Sequence, residues 1–350
     1  MLYNNYIVKQ DMIDITEREN IPFDKINNKT VLITGANGML AYYFTCVLMY
    51  LNFNKNYNIK IIALVRNIEK AKIKFKDFCN DSRFKLIHQD ICESIKLNEK
   101  VNYILHAAGG ASPYFIKNDP VGIIKANTEG TINVLEYARK NQVDNILFTS
   151  TREVYGKTSD INLIKEEDMG VIDPLDSRSC YPESKRMAEQ LFKSYYNQYK
   201  IPYTIVRIAH SYGPGMEINS DGRVMADFIS NVVNNRDIVL KSTGEAVRAF
   251  CYINDAIDAM FLAMLKGGRN EVYNIANETE PMMIRDVAKL LVNEFKHRNL
   301  KVIYDTTSDQ NCYCKYKRVG LCTSKIEAIG WKPKINLLEG MRRTVLSYDE

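Results

Sequence analysis

Short apolar runs alternate with longer stretches of helical period through the first two thirds of the chain. After a first strand beginning at Val31, the runs Ile59–Val65, Lys85–His88, Tyr103–His106, Asn145–Thr149 and Tyr203–Ile208 read as strands. Between them, Ala41–Leu51, a segment around Glu69–Phe78, Pro120–Asn141 and Tyr181–Tyr199 read as helices. Such alternation predicts βαβ units, hence a doubly wound parallel sheet with helices on both faces. Beyond Ile208 the pattern loosens into a Gly-, Pro-, Asn- and Ser-rich stretch, His210–Arg223, followed by mixed helix and short strand. The expected layout is an N-terminal extension (1–29), an α/β dinucleotide-type domain (30–208 with about 237–266) and a smaller, discontinuous substrate lobe (209–236 and 267–350). The extension carries a weak amphipathic pattern, Ile7, Met12, Ile13 and Ile15, and is expected to pack on the domain or on a partner subunit.

The first strand runs into Gly35-x-x-Gly38-x-x-Ala41 and then directly into an apolar helix. Gly35 can take positive φ, Gly38 lets backbone approach a pyrophosphate, and the small Ala41 lets the helix pack on its strand. The free N–H groups of that helix then face the phosphates.

Composition narrows the class without choosing within it. With 350 residues, 46% hydrophobic and 25% charged, the chain is an ordinary globular protein with room for two cores. A net charge of +5 spread over scattered lysines argues against a nucleic-acid surface and leaves at most a mild attraction for anionic substrates. The run Met39–Leu51 has 13 residues, short of the roughly 18–20 needed to span a bilayer, and the N-terminus lacks a secretory pattern. A cytoplasmic location without membrane contact is the expectation. Its 8 cysteines read as reduced thiols, and Cys312-x-Cys314 has the wrong spacing for a zinc or redox pair, so no metal is expected.

Candidate chemistry gathers at predicted strand ends. Arg66, after the second strand, can pair with a ribose 2′-phosphate, which favours NADP(H) while NAD(H) stays open. Asp90 and Ile91 are placed to face the adenine, and Ala107, Ala108 and Gly109 offer small residues along the cofactor. The fifth strand enters Thr149-Ser150-Thr151-Arg152-Glu153, a cluster of hydroxyls, a cation and a carboxylate. Tyr181 and Lys185 stand four apart at a helix start, on one face, where an ammonium would favour phenolate and equip the tyrosine for acid–base work.

Taken together these motifs resemble the extended short-chain dehydrogenase/reductase family, in its nucleotide-sugar epimerase, dehydratase and decarboxylase branch. The resemblance covers about residues 30–345. It rests on Thr34–Ala41, His106–Gly109, Asn127, Ser150-Thr151, Tyr181-x-x-x-Lys185, Arg207 with Tyr212-Gly213-Pro214, and Arg248–Tyr252 with Asp255. Arg318, ahead of Lys325 and Gly330–Pro333, completes the set. It implies that Gly35, Asn37, Gly38, Met39, Leu40, Asn127, Thr149 and Lys185 join the cofactor site. It further implies that Thr151 holds the reacting sugar oxygen, Tyr181 moves its proton, and Arg248 and Arg318 hold the nucleotide diphosphate. Arg223 resembles a ligand-facing position in sugar-nucleotide decarboxylases, and a homodimer through the two long helices is also implied.

Three departures bear on the reaction. Arg152 stands where 4,6-dehydratases place an acidic Asp, and a guanidinium cannot act as that acid, although Glu153 is retained. The stretch Arg178–Arg186 resembles UDP-glucuronate decarboxylases, with Arg152 then a ligand for a carboxylate or phosphate. His210 replaces the usual Asn before Tyr212-Gly213-Pro214, which alters a substrate contact. The leading expectation is NADPH-dependent reduction of a nucleotide-linked keto-sugar in surface-polysaccharide sugar synthesis. The alternative is a redox-neutral 4-epimerase or UDP-glucuronate-decarboxylase-like enzyme passing through a 4-keto intermediate. Dehydration ranks third, and a non-catalytic dinucleotide sensor, which would be expected to lack Tyr181 or Lys185, ranks last.

Overall fold

A computed structural model of the chain describes residues 2–158, 161–219, 221–305 and 320–349. Seven parallel strands form the central sheet: β1 (Thr30–Thr34), β2 (Lys60–Val65), β3 (Phe84–His88), β4 (Tyr103–His106), β5 (Asn145–Thr151), β7 (Tyr203–Ile208) and β12 (Glu271–Ile275). Their spatial order is β12-β7-β5-β4-β1-β2-β3, so the chain winds outward from β1, crosses back, and winds the other way from β4. The order reverses between β1 and β4, where Thr34 pairs with His106, and that reversal opens a crevice at the carboxyl ends.

Alternation along each strand divides the core between two faces. Val31, Ile33 and Ala63 point to one side, beneath α2 (Met39–Asn54) and α8 (Ile253–Leu265). Leu32, Ile104, Ile146 and Phe148 point to the other, beneath α5 (Pro120–Asn141) and α6 (Cys180–Tyr199), which lie side by side. Short helices α3 (Ile68–Lys74) and α4 (Pro113–Asn118) fill the connections after β2 and β4.

Helix α2 is apolar on all sides, which requires cover on its outer face as well. Residues of the extension supply that cover: α1 (Tyr6–Thr16), capped by the Asn5 side chain, packs on α2, α8 and α11 (Leu337–Asp349). Met12 and Ile15 face inward as the pattern predicted, Ile7 and Ile13 are only partly buried, and Val8 and Asp11, outside that pattern, are buried with them. The extension thus packs within its own chain.

Elements outside the sheet are small. Paired strands β8 (Ser211–Tyr212) with β11 (Cys251–Tyr252), β9 (Ile238–Leu240) with β14 (Val302–Tyr304), β10 (Val247–Arg248) with β13 (Met282–Met283), and β6 (Leu163–Ile164) with β15 (Gly320–Leu321) accompany α7 (Val224–Val233), α9 (Ile284–Glu294) and α10 (Ser324–Ala328). Two expected boundaries differ. Ile238–Leu240, assigned to the first domain, pairs outside the central sheet, with Val239 exposed between buried Ile238 and Leu240. Glu271–Ile275, assigned to the lobe, is the sheet's last strand; α8 is a crossover on β5 and β7 and returns the chain to β7.

Candidate active site

At the crevice, Gly35 sits at φ 63° against the loop after β4. A Cβ there would lie 2.6 Å from Ala108 Cα and 2.7 Å from the Ala107 carbonyl oxygen, so only glycine fits. Gly38 N–H donates to the Gly35 carbonyl at 2.9 Å and begins α2 with no side-chain cap, leaving the first N–H groups of a 16-residue helix open to an anion. Met39 and Leu40 form the first turn of that helix and rest partly buried on the core. Asn37 donates to the Asn67 carbonyl at 3.0 Å, while its own carbonyl oxygen takes the Lys74 ammonium at 2.8 Å. Arg66 is exposed just beyond β2. Past β3, Asp90 accepts from Cys92 N–H at 2.9 Å, and Ile91 packs against Gly130 while its carbonyl accepts from Asn133.

Beneath this cradle a buried chain of hydrogen bonds fixes one imidazole. The Thr34 hydroxyl oxygen accepts from Ala107 and Ala108 N–H at 3.2 and 3.3 Å, so its proton goes to His106 Nδ1, 2.8 Å away. His106 Nε2 then carries the hydrogen toward Thr131 Oγ1 at 3.1 Å, and Thr131 donates to the Asn127 carbonyl at 2.6 Å. Burial, with the Lys185 charge nearby, pushes this imidazole down to about 3, so it remains a neutral strut.

The catalytic candidates converge on the same strand ends. Tyr181, in the first turn of α6, is buried, and Thr151 at the end of β5 acts to lower its phenol. One turn on, Lys185 Nζ donates to the Thr149 carbonyl at 2.8 Å and lies 4.4 Å from the centre of the Phe148 ring. Thr149 in turn donates to the His106 carbonyl at 3.3 Å. Asn127 donates to Ser184 Oγ at 2.9 Å, and its side-chain Oδ1, buried without a hydrogen-bond partner among the described residues, faces Gly109. Gly109 itself, at φ 146°, leaves no room for a side chain beside that oxygen.

Protonation differs from the sequence expectation. Burial, then the Glu153 charge, raises the Tyr181 phenol well above its usual range, against the pull of Thr151 and Arg223. The lysine does not produce a phenolate here: its ammonium is engaged by Thr149, and burial drives Lys185 itself down to about 7. Glu153, half-buried, lies 3.4 Å from Arg178.

Beyond Thr151 lies a small cleft, with room for about one water, whose polar lining is Arg152, His210, Arg248 and Glu278. His210 takes φ 46° and its ring leans on Phe250, 5.9 Å between centroids. Burial first, then the Arg152, Arg248 and Arg223 charges, drives it down to about 3, hence neutral. Arg223 is held by both oxygens of Asp221, and Arg318 lies outside the described residues. Among the other motif residues, Arg207 is structural, locked to Glu189 at 2.6 Å, and Asp255 accepts the Lys334 and Ile335 N–H groups at 3.0 Å each. Glu278 escaped the sequence analysis. It follows β12 by three positions, and placing that strand in the sheet would have flagged it, since ligand groups gather at carboxyl ends.

A parallel sheet carrying a glycine cradle at its switch point, opposite a buried Tyr–Lys pair, defines a dinucleotide-dependent enzyme. The chain belongs to the NAD dependent epimerase/dehydratase family, whose sequence profile matches residues 31–276. It is similar to UDP-glucuronic acid decarboxylase 5 of Arabidopsis thaliana, 33% identical over 317 residues that cover 90% of this chain and 88% of the relative. It is also similar to dTDP-D-glucose 4,6-dehydratase of Bos taurus, 30% identical over 331 residues, covering 92% and 89%. Its fold is that of UDP-glucuronic acid 4-epimerase from Bacillus cereus, solved with UDP-glucuronic acid and NAD: TM-score 0.77, 21% identity, 91% of this chain and 98% of that one. The NADP(H) preference expected from Arg66 finds no support in these relationships, which point to NAD. No helix among the described residues is long and apolar enough to cross a membrane.

Proposed function

We propose that the protein is a redox-neutral, NAD-dependent enzyme that converts a nucleotide-linked sugar through a 4-keto intermediate, as a 4-epimerase or a UDP-glucuronate-decarboxylase-like enzyme. This replaces net NADPH-dependent reduction as the leading reading, because the similar proteins are decarboxylases, dehydratases and epimerases. The observation that carries it is the buried Tyr181 with Lys185 one turn on, whose ammonium holds the Thr149 carbonyl and lies against Gly109 beside the Gly35–Ala108 cradle.

The residues fit the cofactor: the cradle admits no Cβ at Gly35, α2 starts uncapped, and Asn127 Oδ1 is buried with no partner among the described residues. In this proposal Gly35–Leu40 and Ala107–Gly109 hold the diphosphate side, Asp90 and Ile91 the adenine side, and Asn127, Thr149 and Lys185 the nicotinamide side. Bound NAD supplies an acceptor for a carbinol hydride and returns that hydride later. Thr151 orients the sugar oxygen, and Tyr181 takes the carbinol proton on oxidation and gives it back on reduction. Lys185 supports the phenolate formed in between, and Glu153 stands by as a second base. Elements outside the central sheet, with Arg223 and Arg248, form the lobe that holds the sugar nucleotide.

The test is to denature the purified protein, identify the nicotinamide released, and follow UDP-glucose and UDP-glucuronate without added cofactor. Retained NAD and conversion of at least one sugar with no net NADH formed are expected. An empty site that consumes NADPH against a keto-sugar would restore the reductase. A homodimer through α5 and α6, which expose Val121, Ile124, Ile132 and Met187, belongs to the same proposal. Light scattering at twice the chain mass is the expected result, and a monomer at assay concentration would remove it.

A further inference from the structure

Side chains alternate along β5, so Phe148 and Ser150 turn toward α6 while the Thr149 carbonyl takes the Lys185 ammonium at 2.8 Å. The Ser150 hydroxyl donates to Glu189 Oε1 at 2.5 Å. Glu189 stands four residues after Lys185, which stands four after Tyr181, so phenol, ammonium and carboxylate follow one another along one face of α6. The Glu189 side chain is only 12% exposed. Arg207, in register with Ser150 on the neighbouring strand, reaches both carboxylate oxygens at 3.1 and 2.6 Å. Its Nη1 donates to the Glu166 carbonyl at 2.8 Å, and the guanidinium lies 4.7 Å from the centre of the Tyr155 ring. Glu189 is therefore held in place by two strands.

Around the Lys185 ammonium stand the Thr149 carbonyl and Phe148 ring of β5, Gly109 with Asn127 behind it, the neutral His106 of β4, and Tyr181 one turn back on α6. The carboxylate that acts on it is Glu189, and it works against burial, which brings the lysine down to about 7. Arg207 shares that carboxylate and so weakens its pull on the lysine. The charge matters because an ammonium steadies a neighbouring phenolate and a neutral amine does not.

Resting on the proposed route, in which Lys185 supports a phenolate, we infer that Glu189 is a positioning residue whose carboxylate maintains the positive charge on Lys185, with Ser150 and Arg207 fixing that carboxylate in place. A buried arginine–carboxylate pair adds little to stability over apolar side chains of like volume, so folding alone does not call for a carboxylate one turn beyond the lysine.

The experiment reads the charge of Lys185 directly. Protein labelled with ¹³C at lysine Cε is titrated by NMR as purified, the Lys185 signal being the one missing from Lys185→Met. At a fixed pH near the midpoint, the ratio of ammonium to amine should fall about tenfold or more in Glu189→Gln. Glutamine keeps an acceptor for Ser150 but leaves a buried guanidinium without its counter-charge, so Glu189→Gln combined with Arg207→Gln is measured alongside, and a smaller fall in the same direction is expected. Ser150→Ala keeps the charge and should leave the ratio where it is. An unmoved ratio in both glutamine variants would overturn the inference, and so would an equal fall in Ser150→Ala, which would trace the effect to loosened packing. Where a nucleotide sugar turns over, the alkaline limb of kcat follows the loss of ammonium and should lie at lower pH in Glu189→Gln. A limb that stays while the lysine signal moves would remove Glu189 from the reaction. Without turnover of any sugar the redox-neutral proposal fails, and the NMR ratio still decides whether Glu189 maintains the lysine's charge.

Discussion

Tyr181→Phe is expected to slow hydride transfer by roughly two to four orders of magnitude while leaving NAD retention and folding intact. The substitution removes one hydroxyl from a ring seated against Ile116 and Ile123, and a Phe ring keeps those contacts. Thr151 remains to orient the sugar oxygen, but it can no longer pass the proton on to a group that releases it. Burial holds the Tyr181 proton firmly, so on the proposed route the phenol starts as the acid of the reductive half, and Lys185 would help it become the base of the oxidative half. Single-turnover spectroscopy of bound nicotinamide at saturating nucleotide sugar measures the step directly. A rate within about threefold of the parent would remove Tyr181 from the chemistry.

Asp11→Ala should lower the unfolding free energy by about 3–5 kcal/mol, far more than a change in an N-terminal extension normally would. Its carboxylate is fully buried and accepts from Tyr43 at 2.5 Å, Tyr252 at 2.8 Å and Arg343 at 2.6 Å. Alanine would strand two buried phenols and part of a guanidinium without their acceptor, which is where the penalty arises. Close by, Arg18 closes a second buried set with Asp258 at 3.2 Å and Asp255 at 3.6 Å. Asn at position 11 keeps an acceptor and should cost less. Urea unfolding of the full chain gives the number, and a loss under about 1 kcal/mol would mean that the network contributes little.

Residues whose role is local were legible in the sequence. The Gly35 turn, the alternation of strand and helix, and the four-residue spacing of Tyr181 and Lys185 each follow from neighbours in the chain, and the corresponding elements stand within a few positions of where periodicity put them. What depends on distant partners was not. Asp11 sits in a stretch of mixed charge with nothing local to mark it, because its donors come from α2, β11, α8 and α11. Asp255 belongs to a motif that resembles a functional signature, yet its carboxylate is occupied by backbone of the Lys334–Ile335 turn. Glu278 depended on placing β12, a strand too short and too polar at its start to distinguish from a lobe element. Arg66 shows the opposite failure: a residue type alone pointed to NADP(H), whereas the kinship of the whole chain points to NAD.

The ion pair between Asp11 and Arg343 joins positions 332 residues apart. During synthesis α1 leaves the ribosome long before its partner helix exists, and Tyr43 and Tyr252 wait with it. Closure of so large a loop comes late and slowly, and until then the apolar outer face of α2 is only partly shielded. A product truncated before α11 would therefore leave the buried Asp11 without the Arg343 cation even with its sheet assembled.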